Sequence, residues 1–164
     1  MKKILLLLVT VLFMIVPPAC AAGSLPERFD PSRDAAADVA TAVAMAQAQG
    51  KRVLVDVGGD WCSWCRLLDS FFAANADARK LRDDNYVWVK VNWSPQNRNE
   101  AVLSRWPPIH TYPHLFVLDG KGRLLHSQNI SGFEDDESDG YSYDKAKILA
   151  FLRAHRRPAA APAR

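Results

Sequence analysis

The sequence lacks an excess of charge, an internal repeat and a long apolar run. Net charge is only +3 over 164 residues, and no basic stripe dominates the middle of the chain. There is therefore no electrostatic case for nucleic acid as a partner. The length suits one domain and not comfortably two. The one extended apolar stretch, Ile4 to Val16, is too short to span a bilayer comfortably.

That stretch has the three regions of a secretory signal. Lys2 and Lys3 form the positive start, Pro17 and Pro18 end the apolar part, and Ala19-Cys20-Ala21 fits a small-x-small cleavage pattern. Cleavage near Ala21/Ala22 is the expectation. An uncleaved membrane anchor and lipidation at Cys20 are the alternatives. Removing residues 1–21 leaves two cysteines of three, Cys62 and Cys65, and no stray thiol. A stray thiol is a liability in an oxidising compartment. The chain ends Ala-Pro-Ala-Arg, without a retention signal for the endoplasmic reticulum. The expected location is a bacterial periplasm or the outer surface. The expected domain is 22–155, followed by a disordered Pro/Ala-rich tail over 156–164.

Patterning predicts helix, strand, helix, strand, helix, strand, strand, helix. Gly23 to Asp30 reads as an irregular lead-in. Ser32 or Asp34 caps a helix that Gly50 stops. Val53–Val57 reads as a buried strand ended by Gly58-Gly59. Leu67, Leu68, Phe71 and Phe72 lie at helical spacing, and a second short helix is expected over Ala76–Asp83. Tyr86–Val91 is a strand, and Asn97–Arg105 a helix closed by Trp106-Pro107-Pro108. His114–Leu118 and Arg123–Ile130 form a hairpin about Asp119–Gly122. Ser131–Tyr143 reads as a solvated acidic loop before a helix over Asp144–Ala154. The alternation implies parallel strands with crossover helices, plus an antiparallel hairpin.

Cys62-Ser63-Trp64-Cys65 follows a strand and two glycines and opens a helix. Free backbone N–H groups and the helix dipole favour a thiolate at that position. The thiolate is the nucleophile, so Cys62 is expected to be the accessible attacking thiol. Cys65, one turn inside, is expected to be shielded and to resolve a mixed disulfide. A structural disulfide and a zinc site are the competing readings. His110 and His114 have a His-x3-His spacing, but Pro113 keeps them off one regular helical face. His126 and His155 read as ordinary surface histidines.

The chain from about Arg52 to Ala154 resembles the thioredoxin family. Asp56, six residues before Cys62, resembles the family's buried strand acid, and Trp61 the tryptophan before the nucleophile. Thr111-Tyr112-Pro113 resembles the cis-proline segment, Val89-Lys90-Val91-Asn92 the strand carrying a lysine near the acid, and Leu118–Gly122 the closing turn. The resemblance implies an α/β thioredoxin fold: a central mixed sheet with helices on both faces. It implies catalytic roles for Cys62, Cys65, Asp56 and Lys90, with Asp56 relaying a proton to or from Cys65. It also implies a substrate surface from Trp61, Trp64, Tyr112 and Pro113, with Tyr112 offering backbone to an extended substrate. Ser63-Trp64 replaces the family's familiar Gly-Pro, which leaves redox direction open. The insertion over Ser131–Tyr143 resembles that of small endoplasmic-reticulum members.

The expected activity is thiol–disulfide exchange with protein substrates in the cell envelope, reductase or isomerase-like, with a membrane redox partner. No metal, nucleotide or flavin cofactor is implied. The alternative is a binding or assembly module with a static Cys62–Cys65 disulfide.

Overall fold

The computed structural model describes residues 24–138 and 140–158. The expected signal segment, with Cys20, and residues 159–164 of the expected tail lie outside the described residues. Among the described residues, no helix is long and apolar enough to cross a membrane.

The first helix, α1 (Ala35–Gln49), starts where the Asp34 carboxylate accepts the N–H groups of Ala36 and Ala37. It stops at Gly50, whose φ of 67° suits a residue without Cβ. The order then runs β1 (Arg52–Gly58), α2 (Ser63–Ala74), α3 (Ala76–Asn85), β2 (Tyr86–Asn92), α4 (Glu100–Leu103), β3 (His114–Leu118), β4 (Leu124–Asn129) and α5 (Lys145–Ala154). A 3-10 turn, Ile130–Phe133, separates β4 from α5.

The sheet order is β2-β1-β3-β4. β1 and β2 are parallel; β3 is antiparallel to β1 and to β4. This is the expected mixed sheet. Alternation along β1 sends Val53, Val55 and Val57 to one face, where they pack with Ala42 and Ala46 of α1, Phe116 and Leu118. Leu54 faces the other side, with Leu68, Phe72, Ile148 and Leu152. Phe116 and Leu118 are fully buried. Each such side chain contributes about 1.5–3 kcal/mol by leaving water.

Three expectations need correction. The helix expected over Asn97–Arg105 is a single turn, Glu100–Leu103. Asn99 before it has φ 49°, and the side chains of Asn92, Asn97 and Asn99 bond nearby backbone instead. The strand expected to reach Ile130 ends at Asn129, whose side chain accepts the Ser131 N–H and starts the 3-10 turn. The acidic loop is only partly solvated, because Phe133 and Tyr143 at its ends are buried against α5 and α2.

Candidate active site

Cys62 is the N-cap residue of α2. Its backbone is extended, and its Sγ accepts the Cys65 N–H at 3.1 Å. Cys62 and Cys65 are joined as a disulfide with Cα atoms 5.2 Å apart. Cys62 is 5% exposed and Cys65 is fully buried. The order of access is the expected one, but Cys62 shows only a narrow edge to solvent. It lies in an open groove of about 430 Å³ between Trp61, Trp64 and Tyr112.

The glycines before the motif act through close approach. A Cβ on Gly58 would collide with Cys65 Sγ, and one on Gly59 with the Trp61 indole. Trp61 is half-exposed, and its Nε1 donates to the Trp93 carbonyl at 2.8 Å. Trp93 in turn donates its N–H to the Gly58 carbonyl and stacks on Tyr112, ring centres 5.2 Å apart. Trp61 meets Tyr112 edge-on at 5.4 Å. The Tyr112–Pro113 bond is cis, as expected.

Asp56 and Lys90 are paired in register on β1 and β2, facing α2. Lys90 Nζ donates to Asp56 Oδ2 at 3.0 Å and to Asp69 Oδ1 at 2.7 Å. Asp56 is fully buried, and its Oδ1 has no partner. Burial pushes the Asp56 carboxyl above its ordinary range, and the Lys90 charge only partly offsets that. For Lys90, burial favours the neutral amine, but the two carboxylates outweigh it and hold the charge. Both side chains are thus shielded from solvent.

The sequence left several participants unnamed. Phe29, in the lead-in, packs against both cysteines and lies under Lys90 Nζ, 4.2 Å from its ring centre. Asp69 follows Cys65 by four residues, one helical turn, which is a signal that sequence could have supplied. Tyr143 Oη donates to the Trp64 carbonyl at 3.0 Å, from the far end of the acidic loop. Tyr141 and Tyr143 both pack on the Trp64 ring. Trp64 is thus held by the insertion, while Trp61 belongs to the Trp93–Tyr112 cluster.

The histidines separate. His114 is buried at the start of β3, with Nε2 2.8 Å from Ser127 Oγ and Nδ1 unpartnered. Burial, with His110 and His126 nearby, lowers its pKa to about 4. His126 and His155 are not isolated surface groups; their rings stack at 4.0 Å. Among the described residues, no three His, Cys, Asp or Glu side chains converge on a metal position.

Chemically, the site offers a dithiol/disulfide at a helix start, a buried acid on the strand that leads to it, and an aromatic groove over the outer sulfur. Comparison with known proteins agrees with this geometry. The sequence model of the thioredoxin-like family matches residues 34–120. The chain is similar to the thiol:disulfide interchange protein DsbD of Colwellia psychrerythraea, 30% identical over 92 residues, 56% of this chain and 15% of that protein. DsbD of Escherichia coli K12 is 24% identical over 95 residues, 58% of this chain and 17% of that protein. The chain therefore spans about a sixth of the length of these relatives. Among solved structures, a disulphide isomerase from Xylella fastidiosa Temecula1 aligns with TM-score 0.55 and 26% identity, over 63% of this chain and 79% of that one. The oxidised C-terminal domain of Neisseria meningitidis DsbD shares the fold, with TM-score 0.53 and 17% identity over 75% of this chain and 97% of that one.

Proposed function

The chain belongs to the thioredoxin-like family, and from that premise we propose that it is a thiol–disulfide oxidoreductase acting on protein substrates in the cell envelope. The observation that carries this is the placement of Cys62 at the start of α2, at the edge of an aromatic groove, with Cys65 fully buried behind it. In the reduced form, the Cys62 thiolate attacks one sulfur of a substrate disulfide. A mixed disulfide forms, and the departing substrate thiolate takes a proton. The Cys65 thiolate then attacks Cys62 Sγ, forming the Cys62–Cys65 disulfide and releasing the second substrate thiol. Asp56, with its raised pKa, receives the Cys65 proton, and Lys90 stabilises the carboxylate when the proton leaves.

Trp61, Trp64, Tyr112 and Pro113 form the substrate surface, with the Tyr112 backbone pairing an extended segment. Turnover as a reductase consumes an external dithiol, and an isomerase needs one only to keep Cys62 reduced; a membrane redox partner supplies it. The name of the isomerase structure supports the isomerase-like direction, and that of the DsbD relatives supports thiol–disulfide exchange. We also propose an exported, periplasmic protein whose domain begins after cleavage near Ala21/Ala22. Intact mass of the exported protein tests that: a retained Met1 rejects cleavage, and a diacylglycerol on Cys20 makes it a lipoprotein.

Insulin reduction with dithiothreitol tests the activity. Wild type should accelerate precipitation and Cys62→Ser should not. Cys65→Ser should accumulate covalent complexes with envelope proteins, whereas Cys62→Ser should trap none. A wild type that reduces nothing, with neither variant trapping a partner, would establish the static-disulfide module instead.

A further inference from the structure

The end of the sheet remote from the cysteines holds a second concave surface. β1 begins there at Arg52, and the turn between β3 and β4 lies beside it, as Val53 pairs with Leu118. Seven residues of β1, about 20 Å of strand, separate this pole from Gly58. A cleft of about 370 Å³ opens at the pole. Lys51, Arg52, Lys121, Arg123 and Arg157 line it, and Asp119 is its only acid. Asp119 is already occupied: it accepts the N–H groups of Lys121 and Arg123 and pairs with the Arg123 side chain.

The surplus of positive charge survives a strict count. The C-termini of α1 and α5 lie at this pole, since Lys51 follows α1 and Arg52 donates to the His155 carbonyl. Each helix end carries about half a negative charge. With Asp119 they cancel about two of the five cations, leaving roughly three. Counted as formal charges, the cleft lining carries +4 and the whole chain +3, so the rest of the chain is formally −1. At the cysteine end Glu134, Asp135 and Asp136 flank Trp64, with Asp136 paired to Lys147.

A second feature lies beside the cations. Leu118 pairs with Leu124 and Val117 with His126, so Leu125 is the unpaired residue of a bulge. It is 44% exposed, two residues from Arg123. The two other large exposed hydrophobics among the described residues, Trp61 and Tyr141, belong to the cysteine end.

We propose that this pole docks on an anionic phospholipid membrane, with the cations on the headgroups, Leu125 at the acyl boundary and Cys62 facing away from the bilayer. Lys121, Arg123 and Arg157 are exposed and Lys51 and Arg52 half-buried; such an open array around a cleft reads a field of negative charge rather than one ion, and an apolar foot beside it fits lipid. The proposal is independent of the redox reading. Sedimentation of the purified protein with vesicles tests it. Partitioning onto phosphatidylglycerol-containing vesicles should exceed that onto pure phosphatidylcholine by at least about tenfold, and should fall as salt rises. Lys51→Glu with Lys121→Glu should reduce it to the phosphatidylcholine level while leaving Tm and insulin reduction unchanged. Leu125→Ser should weaken it several-fold. Equal partitioning onto both vesicles, or full partitioning by the charge-reversed protein, would overturn the proposal. So would release by inorganic phosphate beyond that caused by chloride at equal ionic strength, which would mark a single-phosphate site.

Discussion

Asp56 and His114 are buried at the same end of the sheet but on opposite faces, and they meet burial in opposite ways. Asp56 lies on the α2 face with a cation at 3.0 Å, and that cation is shared with Asp69 at the surface. His114 lies on the α1 face among apolar groups, with only Ser127 Oγ on its ring. One site keeps charge inside the fold and surrounds it with partners. The other keeps charge out by holding a neutral ring. The pair under α2 thus keeps a cation and a carboxylate together inside the fold, while the residue after Pro113 is held as a neutral ring.

The largest expected effect comes from removing the cation. Lys90→Met leaves Asp56 without its counterion and should cost about 3–5 kcal/mol at neutral pH by urea denaturation. Adding Asp56→Leu should recover most of that loss, because a buried ion pair replaced by apolar groups is often close to neutral. A cost below about 1 kcal/mol for Lys90→Met would mean Asp56 is already protonated, and the contrast with His114 would collapse.

The second effect is acid sensitivity at His114. Its folded pKa, about 4, lies below the ordinary 6.5. The stability it contributes is therefore complete above pH 6.5 and lost as pH falls towards 4. The full loss is of the order of 3 kcal/mol. Thermal unfolding across that range should show a steeper decline for wild type than for His114→Leu. Asp56 has the opposite sign: its raised pKa gives a contribution that is lost as pH rises through the folded value. Asp56→Asn should flatten that limb of the curve.

The smallest effect sharpens the comparison on the α2 face. Tyr143→Phe removes the hydroxyl that reaches the Trp64 carbonyl and should cost about 1 kcal/mol. Chemical denaturation would register it. A change well below that would show that packing against Phe71 and Trp64, not the hydrogen bond, holds the loop end in place.

What sequence revealed follows how far each signal travels along the chain. The strands, the α1 cap and the cysteine motif are local patterns, and Asp56, Lys90 and Pro113 each sit at a recognisable offset within one. Phe29, Trp93 and Tyr143 reach the site from separate segments, and nothing in their own neighbourhoods points to it. The acidic run 134–137 hid Tyr143 because composition averages a segment, whereas burial is decided residue by residue. The short α4 was overestimated for a related reason. Helical spacing was present, but four Asn and Ser side chains between Asn92 and Asn99 preferred the backbone close by.

Phe29 carries a consequence for the order of assembly. It precedes the cysteines in the chain, yet the lysine beneath which it settles lies on β2, which follows them. The two cysteines are near neighbours in sequence and can meet as soon as their turn exists. The aromatic cover, by contrast, must wait for β1 and β2 to pair, since long-range contacts pay loop-closure entropy before they give anything back. A chain in which β1 and β2 have not yet paired therefore has the sulfurs without the Lys90-capped roof of Phe29. An oxidant or a dithiol reaching the newborn chain then meets a more open pair than the finished protein presents, so the first redox event in the molecule's life need not obey the rules of its later ones.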